Sequence, residues 1–109
     1  MIQTSKESFG LKENLILELN KIFFNHTEIE EVILYGSRAK GNFRINSDID
    51  LTFKGNDLNL NLMNKIYLEI DDLLTPYSFD LSIFKQIDNP DLIEHINRVG
   101  ISFYKKNIL

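Results

Sequence analysis

The sequence predicts an α/β (α+β) domain, a small mixed β-sheet with helices packed on one face. Three patterns carry that expectation. Two long stretches repeat their apolar residues at helical spacing, two short stretches alternate apolar with polar residues, and one short run is continuously apolar and ends in glycine.

From Ser8 to about Phe24, Leu11, Leu15, Ile16, Leu19, Ile22 and Phe23 recur every three or four residues, with Lys12, Glu13, Glu18 and Lys21 between them. That spacing predicts an amphipathic helix. Glu31 to Tyr35 is rich in β-branched residues and stops at Gly36, as a buried strand feeding a turn would. Arg38 to Gly41 is read as a short helical turn.

Asp48 to Lys54 puts Asp48, Asp50, Thr52 and Lys54 on one face of a strand and Ile49, Leu51 and Phe53 on the other. After Gly55-Asn56-Asp57, a second helix is expected from about Leu58 to Leu74, with Pro76 just past its end. Ser78 to Phe84 alternates again, with Asp80 between Ser78 and Ser82. Asn89-Pro90-Asp91 opens a short helix to about Val99, Gly100 closes it, and Ile101 to Tyr104 supplies an apolar tail or last strand. Two strands thus carry acids on one face and hydrophobes on the other. Helices on the apolar side would leave the acidic side open.

The chemistry is concentrated in one run. Gly36-Ser37 is followed by ten residues and then Asp48-Ile49-Asp50. A Gly-Ser turn leaving a strand can bring backbone N–H groups and a hydroxyl close to a polyphosphate, because glycine tolerates positive φ and close approach. Two carboxylates at i and i+2 of a strand point the same way, and two such charges are unfavourable neighbours unless a cation joins them. Hard oxygen ligands beside a phosphate cradle suit Mg²⁺. The pattern points to phosphoryl or nucleotidyl transfer.

Those residues resemble the signature of the DNA polymerase β-like nucleotidyltransferase superfamily. The short chain and the wording GSRAKG…SDIDL look most like the minimal nucleotidyltransferases, the MNT proteins encoded in pairs with HEPN proteins. The resemblance runs from about Val32 to Phe84. It implies a polymerase β-like core in which Asp48 and Asp50 ligate Mg²⁺ and Asp80 completes a catalytic triad of carboxylates, with two ions the expected complement. Gly36 and Ser37 are expected to bind the nucleotide; Arg38, Lys40 and Arg44, residues of a kind usually solvated at the surface, could neutralise triphosphate charge, Arg38 and Lys40 ahead of Arg44 because they adjoin the turn. Larger relatives attach a helical domain that holds the acceptor, and 109 residues read as a single domain, 1–109, without one.

Composition narrows the partners. A net charge of −4 and a pI near 5.1 argue against free nucleic acid as the main substrate, since such binding needs a basic surface. With no cysteine there is no disulfide framework or thiolate metal site, so a cytoplasmic setting is expected. No apolar run approaches the roughly 20 residues of a membrane span, and Met1 to Glu7 lack a signal peptide's apolar stretch. Asp71 and Asp72 read as a solvated helix end, and His26 and His95 receive no role.

The expected function is Mg²⁺-dependent transfer of a nucleoside monophosphate, AMP from ATP, to a hydroxyl. By resemblance the acceptor is a tyrosine of a partner HEPN toxin, for which the protein acts as antitoxin. Two rivals stand beside it. One is a non-catalytic module that neutralises its partner by contact, and the other is a small-molecule nucleotidyltransferase similar to the aminoglycoside-modifying enzymes.

Overall fold

The structure, a computed structural model, describes residues 7–106. The opening segment Met1–Lys6 that was read for a leader lies outside them. Among the described residues, no helix is long and apolar enough to cross a membrane.

The chain starts with a two-residue hairpin, β1 (Glu7–Ser8) pairing antiparallel with β2 (Leu11–Lys12). Helix α1 (Glu13–Phe24) therefore begins five residues later than the apolar spacing predicts. Phe9 and Gly10 both have positive φ, 60° and 75°, which is what a tight hairpin turn demands and a helix forbids. Leu11 misled the periodicity because it is wholly buried with the α1 side chains while belonging to a strand.

Strands β3 (Glu31–Tyr35), β4 (Ile49–Lys54), β5 (Phe79–Ile83) and β6 (Ile101–Lys105) form one sheet in the order β5-β4-β3-β6. β3 runs antiparallel to both β4 and β6, and β4 runs parallel to β5. A parallel pair needs a crossover, which helix α3 (Leu60–Asp71) supplies. Asn59 caps α3 by accepting the Leu62 N–H at 2.9 Å. The helix stops at Asp71, short of the expected Leu74. Leu74 instead adopts φ 56°, and Pro76 beyond it disfavours further helix.

The mixed sheet is as expected, and α1 and α3 cover its apolar face. Val32, Leu34, Ile49, Leu51 and Phe53 meet Leu19, Phe23, Met63, Ile66 and Ile70 there, and Phe23 stands edge-on to Phe53 at 5.4 Å. Helix α4 (Pro90–Val99) departs from the one-sided arrangement. Its Ile96 and Leu92 pack on Ile33 and Tyr35, the residues of β3 that face away from α1 and α3. Asn89 caps α4 by accepting the N–H groups of Asp91 and Leu92, and Pro90 occupies its first turn. On the face opposite α1 and α3, α4 covers β3 and Thr52 of β4 is wholly buried, while Asp50 is partly exposed and Asp80 exposed.

Candidate active site

The hydrogen-bond ladders set the site. Asp50 on β4 is the register partner of Tyr35 on β3 and of Asp80 on β5, so the three side chains form one row across the sheet on the face away from α1. The next row is Ile33, Thr52 and Ser82, where the Ser82 hydroxyl donates to Thr52 Oγ1 at 2.9 Å. Asp48 lies one residue ahead of β4 and is exposed, as is Asp80.

Asp50 is the most perturbed acid. Burial, then the charges of Asp80 and Asp48, push its carboxyl up to about 6. Desolvation on a half-covered sheet face and the crowding of carboxylates act in the same direction. Among the described residues the ion pairs are His26–Glu69 and Glu94–Arg98, so no lysine or arginine neutralises this cluster. A cation would. The donor set consists of hard oxygens and suits Mg²⁺. Among the described residues no three acidic or histidine side chains converge tightly enough to hold an ion unaided. Asp48, Asp50 and Asp80, the expected metal ligands, are therefore neighbours that do not close on one point. Tyr35 responds to the same field. Burial raises the pKa of its hydroxyl, interaction with Ser82 partly offsets this, and Asp80 and Asp50 raise it further.

Gly36 follows β3 and opens helix α2 (Ser37–Lys40) with φ 75°. A Cβ there would overlap the Asp50 carboxylate, so the absence of a side chain is what lets the turn lie against the acid. Ser37 begins α2, and Lys40 ends it with its side chain exposed. The expected proximity of the Gly-Ser turn to the aspartates is therefore present for Gly36 and Asp50.

Arg38 requires a correction. It is only 2% exposed, and its guanidinium is spent on backbone carbonyls. Nη1 donates to Phe9 O at 2.8 Å, Nε and Nη2 donate to Ser47 O at 3.1 and 2.9 Å, and Nη2 also reaches Ile45 O at 3.3 Å. The rings of Phe43 and Tyr77 flank it at 5.1 and 5.0 Å. Its neighbours in sequence suggested a triphosphate contact, but a planar fork with several donors also suits the gathering of loose carbonyls. Arg38 binds the β1–β2 hairpin and the loop ahead of β4, and it touches Tyr77, two residues ahead of β5. It thereby steadies both segments that deliver aspartates.

Three residues of the site were not singled out in the sequence. Tyr35 and Ser82 could have been found, because each stands in phase with an aspartate once the strands are aligned. His95 could not. It comes from α4, and its Nε2 accepts the Gly36 N–H at 3.2 Å, an encounter across 59 residues that nothing local signals. A concavity of about 670 Å³ between the start of α1 and the loop after α3 is lined by Leu15, Leu73 and Tyr77 and by none of Asp48, Asp50 and Asp80. The acidic row is exposed at Asp48 and Asp80 and partly covered at Asp50.

This fold is that of a nucleotidyltransferase. The chain belongs to the polymerase β nucleotidyltransferase family, whose model matches residues 18–109. No curated protein matches it by sequence. Several solved structures share the fold. A chain of a toxin–antitoxin complex with AMP-PNP superposes with a TM-score of 0.65 at 22% identity, covering 87% of this chain and 74% of that one. A chain of the MntA–HepT toxin–antitoxin complex gives 0.63 at 14% identity, over 86% and 73%. A chain of the tri-AMPylated Shewanella oneidensis HEPN toxin in complex with its MNT antitoxin gives 0.58 at 18% identity, over 84% and 73%.

Proposed function

We propose that this nucleotidyltransferase transfers AMP from ATP to a tyrosine hydroxyl of a HEPN-type partner protein and so acts as its antitoxin. The observation that carries the reading is the placement of Asp50, which faces Asp80 across the ladder and lies against Gly36 of the turn. Carboxylates whose oxygens suit a divalent cation and a close-approach backbone turn lie side by side there. The likeness of the fold to the antitoxin complexes supports the choice of partner.

In this reading Asp48, Asp50 and Asp80 hold Mg²⁺, two ions in all, beside the triphosphate. Bound there, the metal supplies neutralisation of phosphate charge and a lowered pKa for the attacking hydroxyl. Gly36 and Ser37 present backbone and hydroxyl donors to the phosphates, and Lys40 offers an exposed cation at the end of α2. Asp80, exposed on an edge strand, stands on the side from which an acceptor can approach. The acceptor oxygen bonds to the α-phosphorus as the bond to the bridging oxygen breaks. Pyrophosphate leaves with that electron pair, and the hydroxyl proton passes to solvent.

The test is transfer of labelled AMP from ATP to the product of the adjacent reading frame, with Asp50→Asn and Asp80→Asn beside the wild type. The wild type should label its partner, and both variants should lose labelling by at least about a hundredfold while still binding it. Absence of label in every sample, with the variants neutralising the partner as fully as the wild type, would replace the enzyme reading with the contact-only module.

A further inference from the structure

We propose that His95 is a positioning residue for the nucleotide turn, fixing the direction of the Gly36 peptide through a hydrogen bond to its N–H. The inference rests on the proposed nucleotide site and names a residue outside its sequence motif.

The geometry is specific. His95 Nε2 accepts the Gly36 N–H at 3.2 Å, and its ring meets the Tyr35 ring edge-on at 6.2 Å and 79°. One imidazole therefore contacts both residues of the strand-to-turn junction. Its carrier is firmly seated, since Ile96 is 1% exposed in the small core it shares with Ile33 and Tyr35. Gly36 itself has no side chain with which to hold its orientation, and at φ 75° its peptide occupies a region with few local restraints. An external acceptor supplies the missing restraint. To accept, Nε2 must carry no proton, which places the ring proton on Nδ1. With the Gly36 N–H engaged by α4, the peptide that leads into α2 is held in one orientation. Preorganisation of this kind lowers the cost of ordering the turn when a ligand arrives.

The experiment compares His95→Gln, whose Oε1 keeps an acceptor near the Nε2 position, with His95→Phe, which keeps a ring against Tyr35 and has no acceptor. Hydrogen exchange of the Gly36 amide in the ligand-free protein should be slow in the wild type and His95→Gln and faster in His95→Phe. Calorimetry with ATP and Mg²⁺ should show His95→Phe binding about three- to tenfold more weakly, the factor that one neutral hydrogen bond is worth, with His95→Gln close to wild type. Unchanged Gly36 exchange in His95→Phe overturns the proposal whatever the protein does with nucleotide. So does tighter binding, which would mean that His95 merely caps the amide until phosphate displaces it. If His95→Phe does not fold, the ring nitrogens of the wild type decide. A ¹⁵N spectrum that puts the neutral ring's proton on Nε2 removes the acceptor and with it the inference. Failure of the wild type to bind ATP with Mg²⁺, with the exchange pattern as expected, counts against the nucleotide site and not against the His95 contact.

Discussion

Asp50 and Asp80 are direct partners across the parallel ladder between β4 and β5. Their carboxylates start from neighbouring strands on the same face, and Asp48 adds a third charge from the loop ahead of β4. Without a cation the arrangement is repulsive, and the protein's behaviour should reveal it.

The first consequence is a pH dependence of stability. The Asp50 carboxyl is raised from the usual 3.8 to about 6, chiefly by burial, so the folded state holds this proton more tightly than the unfolded chain does. The contribution is fully present below about pH 4 and is lost as pH rises through about 6. Thermal unfolding without metal should therefore show the wild type losing stability relative to Asp50→Asn across that window, with the variant the more stable of the two at neutral pH. Parallel profiles for the two proteins would remove the repulsion from the account.

Metal and nucleotide should bind together and only weakly apart, because the aspartates do not enclose an ion by themselves and the triphosphate supplies the remaining oxygens. Calorimetry should show ATP binding at least about tenfold tighter with Mg²⁺ or Mn²⁺ present. The gain should shrink as pH falls through about 6, where a proton competes for Asp50. Equal ATP affinity with and without divalent metal contradicts the site.

Gly36→Ala should be harmful for two separable reasons, a φ of 75° that alanine resists and a methyl group overlapping the Asp50 carboxylate. A stability loss of about 1–3 kcal/mol is expected, together with loss of AMP transfer. Adding Asp50→Ala should restore part of the stability and none of the activity. Denaturant unfolding of the single and double variants measures the coupling, and purely additive losses would show that the two residues do not meet.

Arg38 and Lys40 should respond in opposite ways. Arg38→Lys keeps the charge and loses the fork that holds the Phe9, Ile45 and Ser47 carbonyls, so it should cost about 2–4 kcal/mol of stability. Lys40→Ala, at an exposed site, should change stability by less than about 0.5 kcal/mol and weaken Mg–ATP binding. A stable Arg38→Lys protein with impaired nucleotide binding would return Arg38 to the phosphate.

Much of this was legible in the sequence because short-range patterns fixed it. The alternation of Asp48 to Lys54 and of Ser78 to Phe84 specified which face carried the acids, and Gly36 after an apolar run marked the turn. The misreadings arose where a local pattern admitted two partners. Leu11 keeps helical spacing with Leu15 and Leu19 yet lies in a strand, because Phe9 and Gly10 reverse the chain. Arg38 beside a phosphate-type turn looks like an anion ligand, and only the folded position of Phe9, twenty-nine residues earlier, shows where its donors go. The seat of α4 on Ile33 and Tyr35, and with it the approach of His95 to Gly36, depends on tertiary packing that no window of sequence contains.

The pairing of Asp50 with Asp80 also bears on how such a protein can diversify. Adjacent strands are about 4.8 Å apart because backbone hydrogen bonds hold them there, so the interval between these acids follows from peptide geometry and owes little to any side chain. The segments around the row are less constrained. Residues 41–47 on one flank and 84–88 on the other lie outside the sheet, and changes in them leave the interval between Asp50 and Asp80 as the ladder sets it. A lineage built this way can exchange the molecule it modifies by redrawing its loops while the spacing needed for the chemistry is preserved by the ladder itself.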